Sequence, residues 1–228
     1  MQAVGKSSRI LQKMNIIKPK ITFMVSEYGL ENDRVGMIEE DIQQILEDDE
    51  NFVVQNIFSV LQPTLQGGIK WYLCNREMLR KDFNVLSALL LHGKYNIIEY
   101  VEQVSYTGGS YIIRKGEPLD MIFFIALGNV VTYSTKYDGS SGSSTTIELK
   151  KFQWYGVKDL IPWAVRSSSN LSNLPLSTIT IKSHKQVDIF AIKATDLKNI
   201  ASEFPEILNM EVHHSTDSTG QMEIVKWR

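Results

Sequence analysis

His213 and His214 are adjacent metal-type donors on a polar stretch. With no cysteine or third histidine beside them they lack the donor set of a zinc site, and a solvated pair is the plainer reading. Ser167, Ser168 and Ser169 follow Arg166, a pattern open to phosphorylation, although surface loops of this composition are common. Hydroxyls are abundant, but none has a positioned histidine, and no nucleophile elbow, P-loop or metal-ligand spacing occurs. No catalytic residue and no metal ligand is assigned, and the chain reads as non-enzymatic. Trp154 and Trp163 offer aromatic faces that suit a purine, against the ordinary reading of core or rim. Lys158, two residues after Gly156, could attract an anion. Cys74, the single cysteine, cannot form an internal disulfide and reads as a core residue of a cytosolic protein.

The elements that must position these groups change in kind near residue 100. Before it the spacing is helical. Met37, Ile38, Ile42, Ile45 and Leu46 recur every three to four residues, with Asn32 or Asp33 as the cap. The acids at 48–50 oppose the dipole of a helix C-terminus, so that helix is expected to stop before them. Residues 52–61 predict a second helix, Pro63 its end or the start of the next, and 69–79 and 83–91 two more. After residue 100 the period falls toward two. Segments 101–106, 111–114, 121–127, 130–137, 145–152, 176–183 and 187–192 are rich in β-branched and aromatic residues. Gly128-Asn129 between two apolar runs predicts a two-residue hairpin. The 138–144 stretch reads as a flexible loop, and 194–204 returns to helical spacing with Thr195 as a cap. Helices, then about eight strands with local antiparallel connections, then a helix: the expected class is α+β.

Composition bounds the function. The chain has 228 residues, 43% hydrophobic and 22% charged, ordinary for a protein with a sizeable core. Lys+Arg 24 against Asp+Glu 26 leaves a net charge of -2, which argues against nucleic acid as a partner. No apolar run is long enough for a transmembrane helix, and the start has neither a secretory nor a myristoylation signal. The expectation is a cytosolic chain, or one at the cytoplasmic face of a membrane, that does not itself insert.

One stretch carries more. Residues 111–128 read YIIRKGEPLDMIFFIALG. Ile112-Ile113 precede the Gly116-Glu117 turn, four large apolar residues follow at 122–125, and Gly128 closes the pattern. This resembles the glycine-punctuated strands of cyclic-nucleotide-binding domains, in particular those of plant cyclic-nucleotide-gated channels. Leu119 stands where the general pattern prefers a small residue. Residues 160–165 (LIPWAV), 167–180 (SSSNLSNLPLSTIT), 187–197 (VDIFAIKATDL) and 69–74 (IKWYLC) resemble stretches of the same channels in the same order. The resemblance covers residues 28 to 205.

It implies an N-terminal helical linker followed by an antiparallel β-roll with flanking helices. The divisions would be an N-terminal extension (1–27), a linker module (28–99), a roll with its lid helix (100–205) and a polar tail (206–228). In the family a cyclic nucleotide moves the last helix and shifts the pore's equilibrium. The phosphate sits at the start of a short helix, whose free N–H groups favour an anion. A Gly-Glu supplies a carboxylate to the ribose, and an Arg further on holds the phosphate. Here the turn reads Tyr155, Gly156, Val157, Lys158, Asp159. Val157 replaces the Glu, and Asp159 substitutes only if the turn holds a one-residue insertion. Ser177, Thr178 and Ile179 occupy the Arg position, and none is basic. The ligand-binding candidates are thus Gly156, Val157, Lys158, Asp159, Ser177 and Thr178.

The resemblance therefore implies a degenerate pocket, with cAMP or cGMP bound weakly or not at all. Such a protein would act in channel assembly or regulation of ion transport, as a homo- or hetero-oligomer through the helical linker, with channel subunits as partners. The family's basic, aromatic calmodulin-binding stretch is not visible, and 222–228 (MEIVKWR) is too short to assign one. Two alternatives stand: a working cAMP or cGMP sensor using the N–H groups around Gly156 with Ser177 and Thr178, and, remotely, a β-roll enzyme.

Overall fold

A computed structural model describes residues 2–49, 51–78, 97–135, 144–146, 149, 151–166 and 170–203. The helix expected over 83–91, the loop from 138, Ser167, Ser168 and Ser169, the histidine pair and the tail lie outside the described residues.

The first helix, α1 (Gln2–Tyr28), was not expected. Its apolar residues looked scattered, and Pro19 stands inside it. Ile10, Met14, Ile17, Ile21, Met24, Val25 and Tyr28 nevertheless recur at helical spacing, and all are buried. That continuous face outweighs the bond lost at proline, which costs roughly 3 kcal/mol. Gly29, at φ 66, ends the helix. Its N–H bonds the Ser26 carbonyl and the Leu30 N–H bonds the Val25 carbonyl, which is a Schellman closure. The chain then returns as α2 (Asp33–Asp48), burying Ile38, Ile42 and Leu46. Lys18 pairs with Glu39 at 2.9 Å and the Lys6 ammonium donates to the Glu47 carbonyl at 2.6 Å, so the two helices run antiparallel.

Three expectations here are corrected. Asn32 is the N-cap but makes no side-chain cap bond. The helix also runs through Asp48, where Gln44 donates to the Asp48 carboxylate and Gln43 to Glu47. The helix expected over 52–61 shrinks to α3 (Ile57–Val60). Phe52 to Asn56 instead alternate between half-buried and exposed, the pattern of extended chain, and the Asn56 carboxamide caps the short helix. Pro63 opens α4 (Pro63–Met78), which buries Leu65, Ile69, Leu73 and Cys74. Burial pushes the Cys74 thiol up to about 12, so it stays neutral.

Among the described residues eight strands follow: β1 (Glu102–Tyr106), β2 (Tyr111–Ile113), β3 (Met121–Leu127), β4 (Val130–Thr135), β5 (Ser144–Thr146), β6 (Trp154–Tyr155), β7 (Thr180–Ser183) and β8 (Val187–Lys193). Helix α5 (Val157–Val165) follows β6, and α6 (Ala194–Glu203) follows β8. The sheets have the orders β1-β8-β3-β6 and β2-β7-β4-β5, all antiparallel. The early strands thus pair with the late ones, as in a jelly roll. Two corrections follow. The pairing is mostly long-range rather than local, and Gly128-Asn129 is no hairpin. It is a corner where the chain leaves one sheet for the other, stacked on the matching corner at 184–186, with the His184 N–H on the Asn129 carbonyl.

The roll and the helices share one core. Phe190 on β8 lies 5.9 Å from Tyr28, 5.2 Å from Phe58 and 5.6 Å from Phe124, ring centre to ring centre. A polar chain runs beside it. Gln103 donates to the Tyr28 hydroxyl at 3.0 Å, Asn56 donates to Gln103 at 2.9 Å, and the Ser105 hydroxyl donates to Asp188 at 2.7 Å. Burial raises the Asp188 carboxyl above the ordinary carboxylate range. The folded chain then holds that proton to higher pH than the unfolded chain does. Asp188 therefore removes stability as pH rises from the unfolded value through the raised folded one. Asp188→Asn is expected to flatten that part of the profile and to stabilise the protein at neutral pH. Thermal unfolding followed upward from about pH 4, the ordinary carboxylate range, measures it; a variant with the slope of the parent would disprove the assignment.

Candidate functional site

The short β6 strand sets the site. Trp154 and Tyr155 point to opposite faces of the sheet. Trp154 meets Phe124 edge-on at 4.7 Å, on the side of the helices, and is buried. It is core, not a stacking platform. Tyr155 points the other way, into the roll, 5.4 Å from Phe123. Its hydroxyl reaches Ser177, a buried residue in the segment that leads into β7, at 2.8 Å. Ser177 uses its own proton on the Ile179 carbonyl at 2.7 Å, so Tyr155 is the donor of this pair. Thr178 also bonds the Tyr155 side chain. Burial, with a smaller contribution from Asp159, raises the Tyr155 phenol, so it stays protonated.

Gly156 follows at φ 84 and is the N-cap of α5. A Cβ there would lie 3.1 Å from the Leu119 side chain and 3.2 Å from the Met121 carbonyl. The fully buried Leu119 thus fills the space beside the turn. The Asp159 and Leu160 amides bond the Gly156 carbonyl. Val157 and Lys158, as the first two residues of the helix, have no carbonyl one turn earlier to take their N–H groups, which makes this end favourable to an anion.

The six candidate residues fall into two groups. Gly156, Ser177 and Thr178 gather around Tyr155. Lys158 and Asp159 are exposed and open instead on a cleft of about 280 Å³ with Pro162, Trp163, Arg166, Asn173 and Pro175. Trp163 is buried, and its indole N–H donates to Asn173 at 2.9 Å. Val157 is half-buried between the two groups and brings no polar atom beyond its backbone. Ile179, at the expected arginine position, is 6% exposed. Ser177 is buried with its hydroxyl already engaged at three partners, since the Ile179 N–H also points to it at 3.4 Å.

The glycine-acid turn has a local role. The Glu117 carboxylate accepts from the Arg114 N–H at 2.7 Å and its guanidinium at 3.0 Å, which lowers its pKa. The Gly116 N–H and the Glu117 carbonyl bond the two backbone groups of Ser177. The turn therefore anchors the segment that carries Ser177. Sequence reasoning did not single out Tyr155. Its signal was alternation: next to Trp154 on a strand, one of the two must face inward.

Among the described residues no helix is long and apolar enough to cross a membrane, and no three His, Cys, Asp or Glu residues are placed to hold a metal.

No family model matches the chain. It is 33% identical over 162 residues to probable cyclic nucleotide-gated ion channel 10 of Arabidopsis thaliana, covering 70% of this chain and 21% of that protein. It is 35% identical over 119 residues to cyclic nucleotide-gated ion channel 1 of the same plant, covering 52% and 16%. The chain therefore spans about a fifth of the length of these relatives. Among solved structures, the cNMP-binding domain of an Arabidopsis thaliana cyclic nucleotide-regulated ion channel is 32% identical, with a TM-score of 0.41, covering 56% of this chain and 85% of that one.

Proposed function

We propose that this chain, a member by sequence of the family of plant cyclic nucleotide-gated ion channels, is a regulatory module whose ligand pocket is degenerate. It acts in channel assembly or in the regulation of ion transport, at the cytoplasmic face of a membrane, without catalysis. The observation that carries the reading is the chemistry around Tyr155. Where a cyclic nucleotide would need a carboxylate and an arginine, the chain offers Val157 and Ile179. The hydroxyl nearest the turn, Ser177, is spent on Tyr155 and Ile179. Each lost charge-assisted contact is worth about 1.5–3 kcal/mol, so the pair weakens binding by about two to four decades.

In this reading residues 28–99 form the linker module, 100–205 the roll and lid, 1–27 an extension and 206–228 a tail. The linker carries the contacts to other subunits. Size-exclusion with light scattering tests that part, and a clean monomer at high concentration would remove it.

One feature favours a working sensor instead. The start of α5 behind Gly156 is intact, and Lys158 is exposed beside it. Titration calorimetry with cAMP and with cGMP separates the two. We expect no binding tighter than about 100 μM for either. A low-micromolar constant for one of them would replace the degenerate-pocket reading with the sensor.

A further inference from the structure

Phe152 is the one non-glycine residue with a left-handed backbone, φ 62, among the described residues. A side chain with a Cβ holds that conformation only where its surroundings over-determine it. Its N–H bonds the Ile125 carbonyl at 2.8 Å, and its ring lies 6.3 Å from Phe124. The other face of the restraint comes from the helical module. The Arg76 guanidinium, from the last turn of α4, sits over the Phe152 ring at 4.5 Å.

The same guanidinium ties down α1. It donates to the Tyr28 carbonyl at 3.0 Å, at the helix end where a cation is favoured. It also lies against Gly29, where any Cβ would collide with it. Around it, Lys151 pairs with Glu27, and the Tyr72 hydroxyl donates to the Gly29 carbonyl at 2.5 Å. Four parts of the fold therefore meet at one planar group: the end of α1, its closing glycine, α4, and the residue that leads into β6. Two residues beyond Phe152 comes Trp154, which shares Phe124 with it, and then Tyr155 and Gly156.

We propose that Arg76 is a positioning residue that couples the helical module to the Trp154–Tyr155–Gly156 turn by clamping Phe152 in its left-handed conformation. A left-handed residue has a second, unstrained basin, and leaving it redirects the chain that follows. That gives the joint two discrete arrangements, which is what coupling between two parts requires. Movement of α4 or of the α1 end releases the ring, and the turn behind it follows. Such a clamp adds a route of regulation to the function proposed above, and the coupling itself uses no ligand.

Hydrogen exchange on the full chain, read by mass spectrometry, tests it. Arg76→Ala is expected to speed exchange over 153–160 about tenfold while the β1–β8 ladder stays protected. Arg76→Lys keeps the charge and loses the planar fork, and is expected to give most of the same effect. Phe152→Gly removes the ring and the strain together, and Arg76→Ala added to it is expected to change nothing further over 153–160. If Arg76→Ala loosens only α1 and α4, or if the two substitutions add, the proposal is wrong. Should Arg76→Ala fail to fold, Arg76→Lys decides by the same readout. Nucleotide titration leaves this result untouched, so failure of the clamp and failure of the degenerate-pocket reading are separately visible.

Discussion

Replacing Phe190 with alanine is expected to lower the unfolding free energy by about 3–5 kcal/mol, the range for truncating a buried phenylalanine. The side chain is fully buried in the middle strand pairing of the first sheet, between β1 and β3. It stacks on Phe124 of the neighbouring strand β3 and meets Tyr28 and Phe58 edge-on from the helical side. Its removal opens a cavity bounded by a rigid sheet on one side and by α1 and α3 on the other. Neither can move in to fill it without losing pairing or helix contacts. The effect should also be shared. If Phe190 holds the helices to the roll, α1 exchange protection falls together with that of the strands. Denaturant unfolding with exchange measures both. A loss under about 1.5 kcal/mol, or a loss confined to the roll, would mean that the two halves do not share one core.

The sequence made the longest apolar strand easy to read, and Met121–Leu127 agrees residue for residue, whereas β6 was not expected and the strand expected over 176–183 shortens to Thr180–Ser183. The run of large apolar residues between two glycines allows little else. Pairing was another matter. β1 joins β8 across more than eighty residues, and nothing in the alternation of Gln103, Val104 and Ser105 names Phe190, Ile189 and Asp188 as partners. The same gap turned a corner into an expected hairpin, because a Gly-Asn between apolar runs looks alike in both. On the helical side α1 was hidden by Pro19, although Ile10, Met14, Ile17 and Ile21 keep helical spacing through it. Residues 52–56 failed the opposite way: apolar enough for a helix, but β-branched and alternating. At the site, Gly156 was legible through the family resemblance, which places a glycine at the turn before the short helix. Tyr155 was not, because its role depends on Ser177, in the segment that leads into β7 of the other sheet, brought near only by the roll.

Gly128→Ala is expected to cost about 2–5 kcal/mol, and a comparison within the same motif shows why. Gly128 and Gly116 both have positive φ, 86 and 83. Alanine at either pays the left-handed penalty of roughly 1–2 kcal/mol. At Gly116 a Cβ would meet nothing within 4 Å, so that penalty is the whole expected effect. At Gly128 the Cβ would collide with the Gln186 carbonyl oxygen and stand 3.0–3.1 Å from Val187. Two of the three are backbone atoms, of the opposing corner and the start of β8, and they cannot rotate away as a side-chain tip could. Forcing them apart adds about 1–3 kcal/mol of overpacking. The extra cost at 128 is therefore a measure of how closely the two corners stack where the chain passes between sheets. Paired denaturant melts of the two alanine variants test this. Equal losses would mean that the corners are free to separate, and that Gly128 is required for its backbone conformation alone.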